Sequence, residues 1–286
     1  MNRREFLTAA GVGLGTAYLK PSAFGSVVDI PTQQKKVQAT DTVVLGKTGI
    51  KTSRLAMGTG TVGFAGGSNQ TRSGKLVQLL VSGYDSGLIF FDTADSYGSH
   101  PEVAAALKQV GRSKAIVMTK CDDRDPKGAK EDIDRYLREL GTDYIDICLI
   151  HCVTEDDWTT RYRGVMDVFE QAKEQGKIRA HGVSCHSIEA LRAAAKSPWV
   201  EVDLVRLNPV GAHMDADPQT VIGVIKEMRA QGKGIIGMKI LGQGAMRTRQ
   251  DEAIRFALNS GVLDAFTIGA ENRSEQQDLI KRVAAA

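Results

Sequence analysis

The sequence predicts an α/β fold, a (β/α)8 TIM barrel with an N-terminal β-hairpin. Two observations carry this. Eight short apolar runs of strand length alternate with stretches of helical period. Polar residues suited to chemistry close several of those runs, at the end where such barrels place their sites. A doubly wound open sheet is the competing arrangement. The first turn counts against it, because GTGTVGFAGG (58–67) enters a loop before any helix and is a poor dinucleotide fingerprint.

In chain order, 41–45, the turn Gly46-Lys47-Thr48-Gly49 and 50–54 read as the hairpin. Strands are expected at 55–58, 88–92, 115–119, 145–150, 178–183, 204–207, 234–238 and 265–268. Helices are expected at 75–85, 102–109, 129–140, 164–175, 188–196, 218–231, 251–259 and 274–283. Ile133, Tyr136, Leu137 and Leu140 fall at i, i+3, i+4 and i+7, one face of a helix, and Gly141 follows as a C-cap. Gly176, Gly232 and Gly261 stand at similar exits.

Composition is that of an ordinary soluble protein, 42% hydrophobic and 25% charged. Net charge is +3, and Arg3, Arg4 and Lys20 against Glu5 place most of it near the start. The remainder gives no electrostatic footprint for nucleic acid. Cys121, Cys148, Cys152 and Cys185 form no CxxC pair. Cys148 and Cys152 would share a strand face, ~13 Å apart, so free thiols are expected. No metal site is expected from them with His151 or His186.

MNRREFLTAAGVGLGTAYLK pairs Arg3 and Arg4 ahead of Phe6 and Leu7, and its apolar run is too short and glycine-rich for a membrane span. It resembles a twin-arginine export signal. The expected organisation is a signal peptide over 1–25, a polar linker over 26–40 and the barrel over 41–286. The protein would be exported, bacterial and periplasmic, with the twin-arginine machinery as a partner and no stable membrane insertion. That route carries folded proteins, which suits one that takes up a cofactor first.

The strand ends hold the chemistry. The second strand ends in Asp92 with Tyr97 five residues on, the third in Lys120 and the fourth in His151. The fifth ends in Ser184 and Cys185, the sixth in Asn208, and the seventh runs into Lys239 and a GQG turn. Singly these have plain readings: an N-cap, a solvated lysine, a satisfied buried histidine. Together they would meet over one rim.

FFDTADSYG, IVMTK, LGTDYIDICLIH, EQGKIRAHGVS and LGKTGIKTSRLAMGTG resemble segments of the aldo-keto reductases, and the match runs from about Val43 onward. The resemblance implies a catalytic set of Asp92, Tyr97, Lys120 and His151. Tyr97 would protonate a carbonyl oxygen while a nicotinamide gives hydride to its carbon. A free tyrosine has a pKa of about 10, and a nearby ammonium should lower it. Asp92 would hold Lys120, and His151 would orient the carbonyl. Lys120 as a Schiff-base former is disfavoured, because the adjacent carboxylate keeps the amine protonated.

By the same resemblance, Ser184 would meet the nicotinamide carboxamide. Cys185 replaces the usual Asn, and Leu204 stands where the family often has Gln ahead of Asn208. Leu241, Gly242 and Gly244 fit the loop over the pyrophosphate. Gly269, Arg273 and Gln276 lie in the segment that grips the adenosine phosphate. NADP(H) is the family default. Glu271 beside the ribose would favour a free 2′-hydroxyl, which keeps NAD(H) open.

The expected function is NAD(P)H-dependent reduction of aldehydes or ketones. A rival is a nucleotide-retaining barrel serving as redox sensor or binding partner with little turnover, and a third reading is sugar oxidation on a resident cofactor. Pocket walls would come from 59–73, 153–161 and 211–217, with Trp158 either stacking on substrate or packing on the barrel. The chain stops soon after the last helix, so an open pocket is expected. The substrate itself and the oligomeric state are not legible.

Overall fold

A computed structural model describes residues 36–286. The expected export signal and most of the linker lie outside the described residues. Eight parallel strands close a barrel: β3 (Leu55–Gly58), β4 (Phe90–Asp92), β5 (Ile116–Cys121), β6 (Ile145–Val153), β7 (Ile178–Cys185), β8 (Val202–Arg206), β9 (Gly234–Met238) and β10 (Ala265–Ile268). β10 pairs with both β9 and β3, which shuts the ring. The hairpin ahead of it is β1 (Thr42–Val44) against β2 (Lys51–Ser53), antiparallel. Its Leu45 and Ile50 plug the N-terminal end of the barrel and join the interior cluster.

Between and after the strands lie α1 (Asn69–Arg72), α2 (Leu76–Asp85), α3 (His100–Val110), α4 (Pro126–Leu140), α5 (Trp158–Arg161), α6 (Arg163–Glu174), α7 (Ile188–Lys196), α8 (Pro218–Ala230), α9 (Gln250–Asn259) and α10 (Arg273–Ala285). α4 shows why they form. Asp125 caps it by accepting from the Lys127 and Gly128 amides, Pro126 sits at its first position, and Gly141 at φ +62° ends it. Ile133, Tyr136 and Leu140 are its buried stripe. The helix therefore starts a turn before the apolar pattern does. None of the described helices is long and apolar enough to cross a membrane.

Strand alternation sorts the core into two layers. Ala56, Phe90, Met118, Leu149, Ala180, Leu204 and Ile236 fill the barrel. Phe91, Val117, Ile150, Val183 and Val205 face the helices. β6 runs three residues past its expected end through a register shift, with Cys152 at φ +51°. The bulge corrects the expected cysteine geometry: Cys148 is buried and Cys152 exposed, so they share no face, and all four cysteines are free.

Candidate active site

The same alternation decides which strand-end residues look into the mouth. Asp92, Lys120 and His151 each lie two residues beyond an interior residue, Phe90, Met118 and Leu149. All three therefore turn toward the axis at the C-terminal end. Counting in twos from Ala180 and Ala265 brings Ser184 and Thr267 to the same level.

Lys120 is fully buried, and its ammonium donates to Asp92 Oδ1 at 2.5 Å and to the Thr93 carbonyl at 2.7 Å. The second Asp92 oxygen accepts from the Thr267 hydroxyl at 2.7 Å. Burial works against the charged lysine, but Asp92 and Tyr97 outweigh it and hold its pKa above the ordinary value. A buried ion pair is tolerable only when its remaining polar atoms are satisfied, and here they are.

Tyr97 ends a single 3-10 turn, Asp95–Tyr97, closed by Gly98 at φ +61°. Lys120 Nζ lies 4.8 Å from its ring centroid. The His151 ring meets it edge-on, with centroids 5.9 Å apart. Two glycines of the β3 exit loop press on the tyrosine. A Cβ at Gly60 would come within 2.5 Å of the ring, and one at Gly63 within 2.8 Å. No other residue type leaves room for the phenol. The Tyr97 pKa is raised rather than lowered. Desolvation dominates, Asp92 and Cys152 add to it, and Lys120 pulls the other way. The pull of the ammonium falls short of the cost of burying a phenolate. In this state the phenol keeps its proton.

His151 donates or accepts through Nδ1 at 2.7 Å from Asp122 Oδ1. Burial lowers the histidine pKa, Asp122 raises it and Lys120 lowers it again, and the net shift is downward, leaving a neutral ring at pH 7. Arg124 ties the loop after β5 to this strand, reaching the carbonyls of Cys121, Asp122 and His151. Asp122, Thr267 and Arg124 are not among the residues expected from sequence. Asp122 stands two beyond Lys120, so the count that placed the lysine could have placed it too.

The cofactor candidates divide. Ser184 is fully buried and its hydroxyl has no partner among the described residues, as expected of a group awaiting a polar ligand. Gly242, Gln243 and Gly244 have φ of +56°, +53° and +100°. With Leu241 ahead of them, they make a tight turn at the mouth. A Cβ at Gly269 would meet Thr61 Oγ1 at 2.5 Å. Arg273 is exposed at the start of α10, and Glu271 accepts from Asn69 at 2.8 Å. An orphaned hydroxyl and a glycine turn fit a nicotinamide dinucleotide on the β7–β10 side.

Three residues expected at the cofactor have side-chain hydrogen-bonding groups engaged within the protein. Cys185 shares the outward face of Val183, and its thiol points to Asp203 at 3.3 Å. Asn208 spends its amide on the carbonyls of Ala212 and Lys239 and on the amides of Val210 and Ala212, which folds its own loop. Gln276 is buried between α10 and α2, donating to Leu79 O and Met57 Sδ. Trp158 is also settled: it is fully buried, bonds Ala190 O and packs edge-on against Trp199, away from the mouth.

Residues 56–281 match the family described as "Aldo/keto reductase family". Aldo-keto reductase YhdN of Bacillus subtilis (strain 168) is 29% identical over 163 residues, 51% of this chain and 47% of that protein. An NADH-specific methylglyoxal reductase of Escherichia coli (strain K12) is 27% identical over 188 residues, 57% of each chain. The chain spans about half the length of these curated relatives. An aldo-keto reductase of Bacillus halodurans, solved in its holo form, shares the fold with a TM-score of 0.69 at 19% identity, over 86% of this chain and 91% of that one.

Proposed function

The chain belongs to the aldo/keto reductase family, and we propose that it reduces aldehydes or ketones to alcohols with NAD(P)H, using Tyr97 as proton donor. The observation that carries this is the stacking of a buried, protonated Lys120 on the Tyr97 ring, with His151 at the ring edge. A bound nicotinamide would supply the hydride to the carbonyl carbon. Ser184, the Leu241–Gly244 turn and Gly269 are the residues that would hold it.

The chain's own residues handle the proton. Tyr97 O–H hydrogen-bonds the carbonyl oxygen and gives up its proton as that oxygen gains charge. The phenolate left behind lies against the Lys120 ammonium in a dry setting, where a fixed charge acts strongly. Asp92 keeps that ammonium charged and in place, and Thr267 fixes Asp92. Gly60 and Gly63 hold the ring so that its hydroxyl does not wander.

NADP(H) is the nucleotide proposed, with Arg273 as the cation for a 2′-phosphate. NAD(H) is the second reading, favoured by Glu271 two residues away. We further propose that the Arg3-Arg4 segment directs export to the periplasm. Retention of nucleotide with little turnover stays a rival for one reason: Asn208 and Cys185 are both engaged elsewhere, which thins the carboxamide contacts.

The test is a screen of small aldehydes and ketones against NADPH and NADH with the purified full chain. Carbonyl-dependent oxidation of one of them is the expected result. Nucleotide that stays bound through gel filtration, with no turnover of any carbonyl, would favour the rival.

A further inference from the structure

The reaction above leaves Asp122 without a part, although it touches His151. A carboxylate can only accept hydrogen bonds, and at 2.7 Å it lies on Nδ1 of that ring. Burial raises the Asp122 pKa, but His151, Ser96 and Arg124 outweigh it and hold the group below its ordinary value, so it is ionised at neutral pH. The Nδ1 proton is thereby fixed. A neutral imidazole has only one, so Nε2 is left with a lone pair. Among the described residues no hydrogen bond engages Nε2.

We propose that Asp122 is a positioning residue that sets the tautomer of His151, so that the ring accepts a hydrogen bond from an alcohol hydroxyl when neutral and donates one to a carbonyl oxygen only when doubly protonated. This differs from a histidine free to choose its tautomer, which could present Nε2–H to a carbonyl while neutral. The proton count of the reaction is untouched: Tyr97 supplies the proton, and His151 ends each turnover as it began. The consequence is directional. Carbonyl reduction should be an acid-favoured activity, and alcohol oxidation should not lose ground as pH rises.

The groups facing the His151 ring make its protonation a contest. Asp122 comes from the loop after β5, Lys120 from β5, and Asp92 from β4. The Tyr97 ring packs on one side, and the His186 ring, beyond β7, lies with its centroid 6.4 Å away. Cys152 follows in the chain, and Arg124 holds the backbone carbonyl. Asp122 and Asp92 favour the imidazolium, while burial and Lys120 disfavour it.

The kinetic arm rests on the carbonyl-reductase reading, and the spectroscopic arm does not. The experiment uses the full chain labelled with 15N-histidine, as wild type and as Asp122→Asn, with His151→Gln to assign the signals. In the wild type above its titration, Nδ1 of His151 should be protonated and Nε2 bare; in Asp122→Asn both tautomers should appear. Initial rates are then read across pH. Wild-type kcat/KM for carbonyl reduction should fall about tenfold per pH unit above the His151 titration. In Asp122→Asn that limb should flatten, and alcohol oxidation should gain a matching rise with pH, since the reaction's equilibrium fixes the ratio of the two directions at each pH.

A wild-type ring with its proton on Nε2 overturns the proposal. So does an Asp122→Asn enzyme that keeps the wild-type pH profile in both directions at a lower level, which is what a merely structural role would give. Asp122→Ala must shift the tautomer as Asp122→Asn does, which guards against an amide that mimics the carboxylate. A tautomer shift in a protein that turns over no carbonyl would support the role of Asp122 and sink the reductase reading instead.

Discussion

Asp92 and Asp122 each hold a basic side chain of a strand end, at 2.5 Å and 2.7 Å. Asp92 is 4% exposed and both its oxygens are engaged. The Asp122 side chain is 42% exposed and sits on a loop. In the dry pair the proton stays on Lys120 at any ordinary pH. In the wet pair the partner is an imidazole, whose charge responds to small changes around it. Two bonds of nearly equal length thus do different work: one is a fixed electrostatic part, the other a titrating part.

Breaking the dry pair should have the largest effect. Lys120→Met leaves the Asp92 carboxylate buried without a counter-charge, and should cost about 3–5 kcal/mol of stability in urea unfolding. Carbonyl reduction should fall by about 10²–10⁴-fold in the same protein. Adding Asp92→Asn should recover much of the stability and none of the activity. Asp122→Asn, by contrast, should move stability by less than about 1 kcal/mol, since Asp122 is a partly exposed rim carboxylate.

A third carboxylate sharpens the comparison. Asp203, fully buried in the outer layer of β8, accepts from the Cys185 thiol on one oxygen, and the other oxygen has no partner among the described residues. Burial pushes its pKa up to about 8. Its folded value is raised above the unfolded value of about 3.9, so the native state binds the proton more tightly. That stabilisation is complete below the unfolded value and is lost as pH rises to about 8. Asp203→Asn should therefore raise Tm at pH 9 by several degrees and do little at pH 4, read by thermal melts at both.

The smallest expected effects concern the nucleotide. Ser184→Ala should weaken its binding by about 1 kcal/mol, with no loss of fold stability, because the hydroxyl has no partner among the described residues to lose. Cys185→Ala should leave nucleotide affinity unchanged, since its thiol faces the helix layer. Fluorescence titration of both variants checks this, and a drop for Cys185→Ala alone would reverse the assignment.

The barrel was legible because its signals are local: apolar runs, helical stripes and glycine exits each report on one element. The positions of Asp92, Lys120 and His151 were legible for the same reason, since strand period alone turns them inward. What stayed hidden is of mixed origin, part local and part distant in sequence. Cys185 lies one residue past Ser184, and a period of two sends it to the opposite face. Asn208 looked available because the loop it folds, 208–212, leaves no pattern in the sequence. Thr267 lies 175 residues from Asp92, and no spacing announces that bond. The bulge at Cys152 broke an alternation that had been extended too far.

The most direct measurement is the rate of hydride transfer in a single turnover by Tyr97→Phe, beside its nucleotide affinity. The phenyl ring keeps the contacts with Gly60, Gly63 and Lys120 and removes only the hydroxyl that carries the proton. The rate should fall by about 10²–10⁴-fold while nucleotide affinity stays within about twofold. Carbonyl reduction at close to the wild-type rate would mean that the proton comes from elsewhere, and the assembly around Tyr97 would need another explanation.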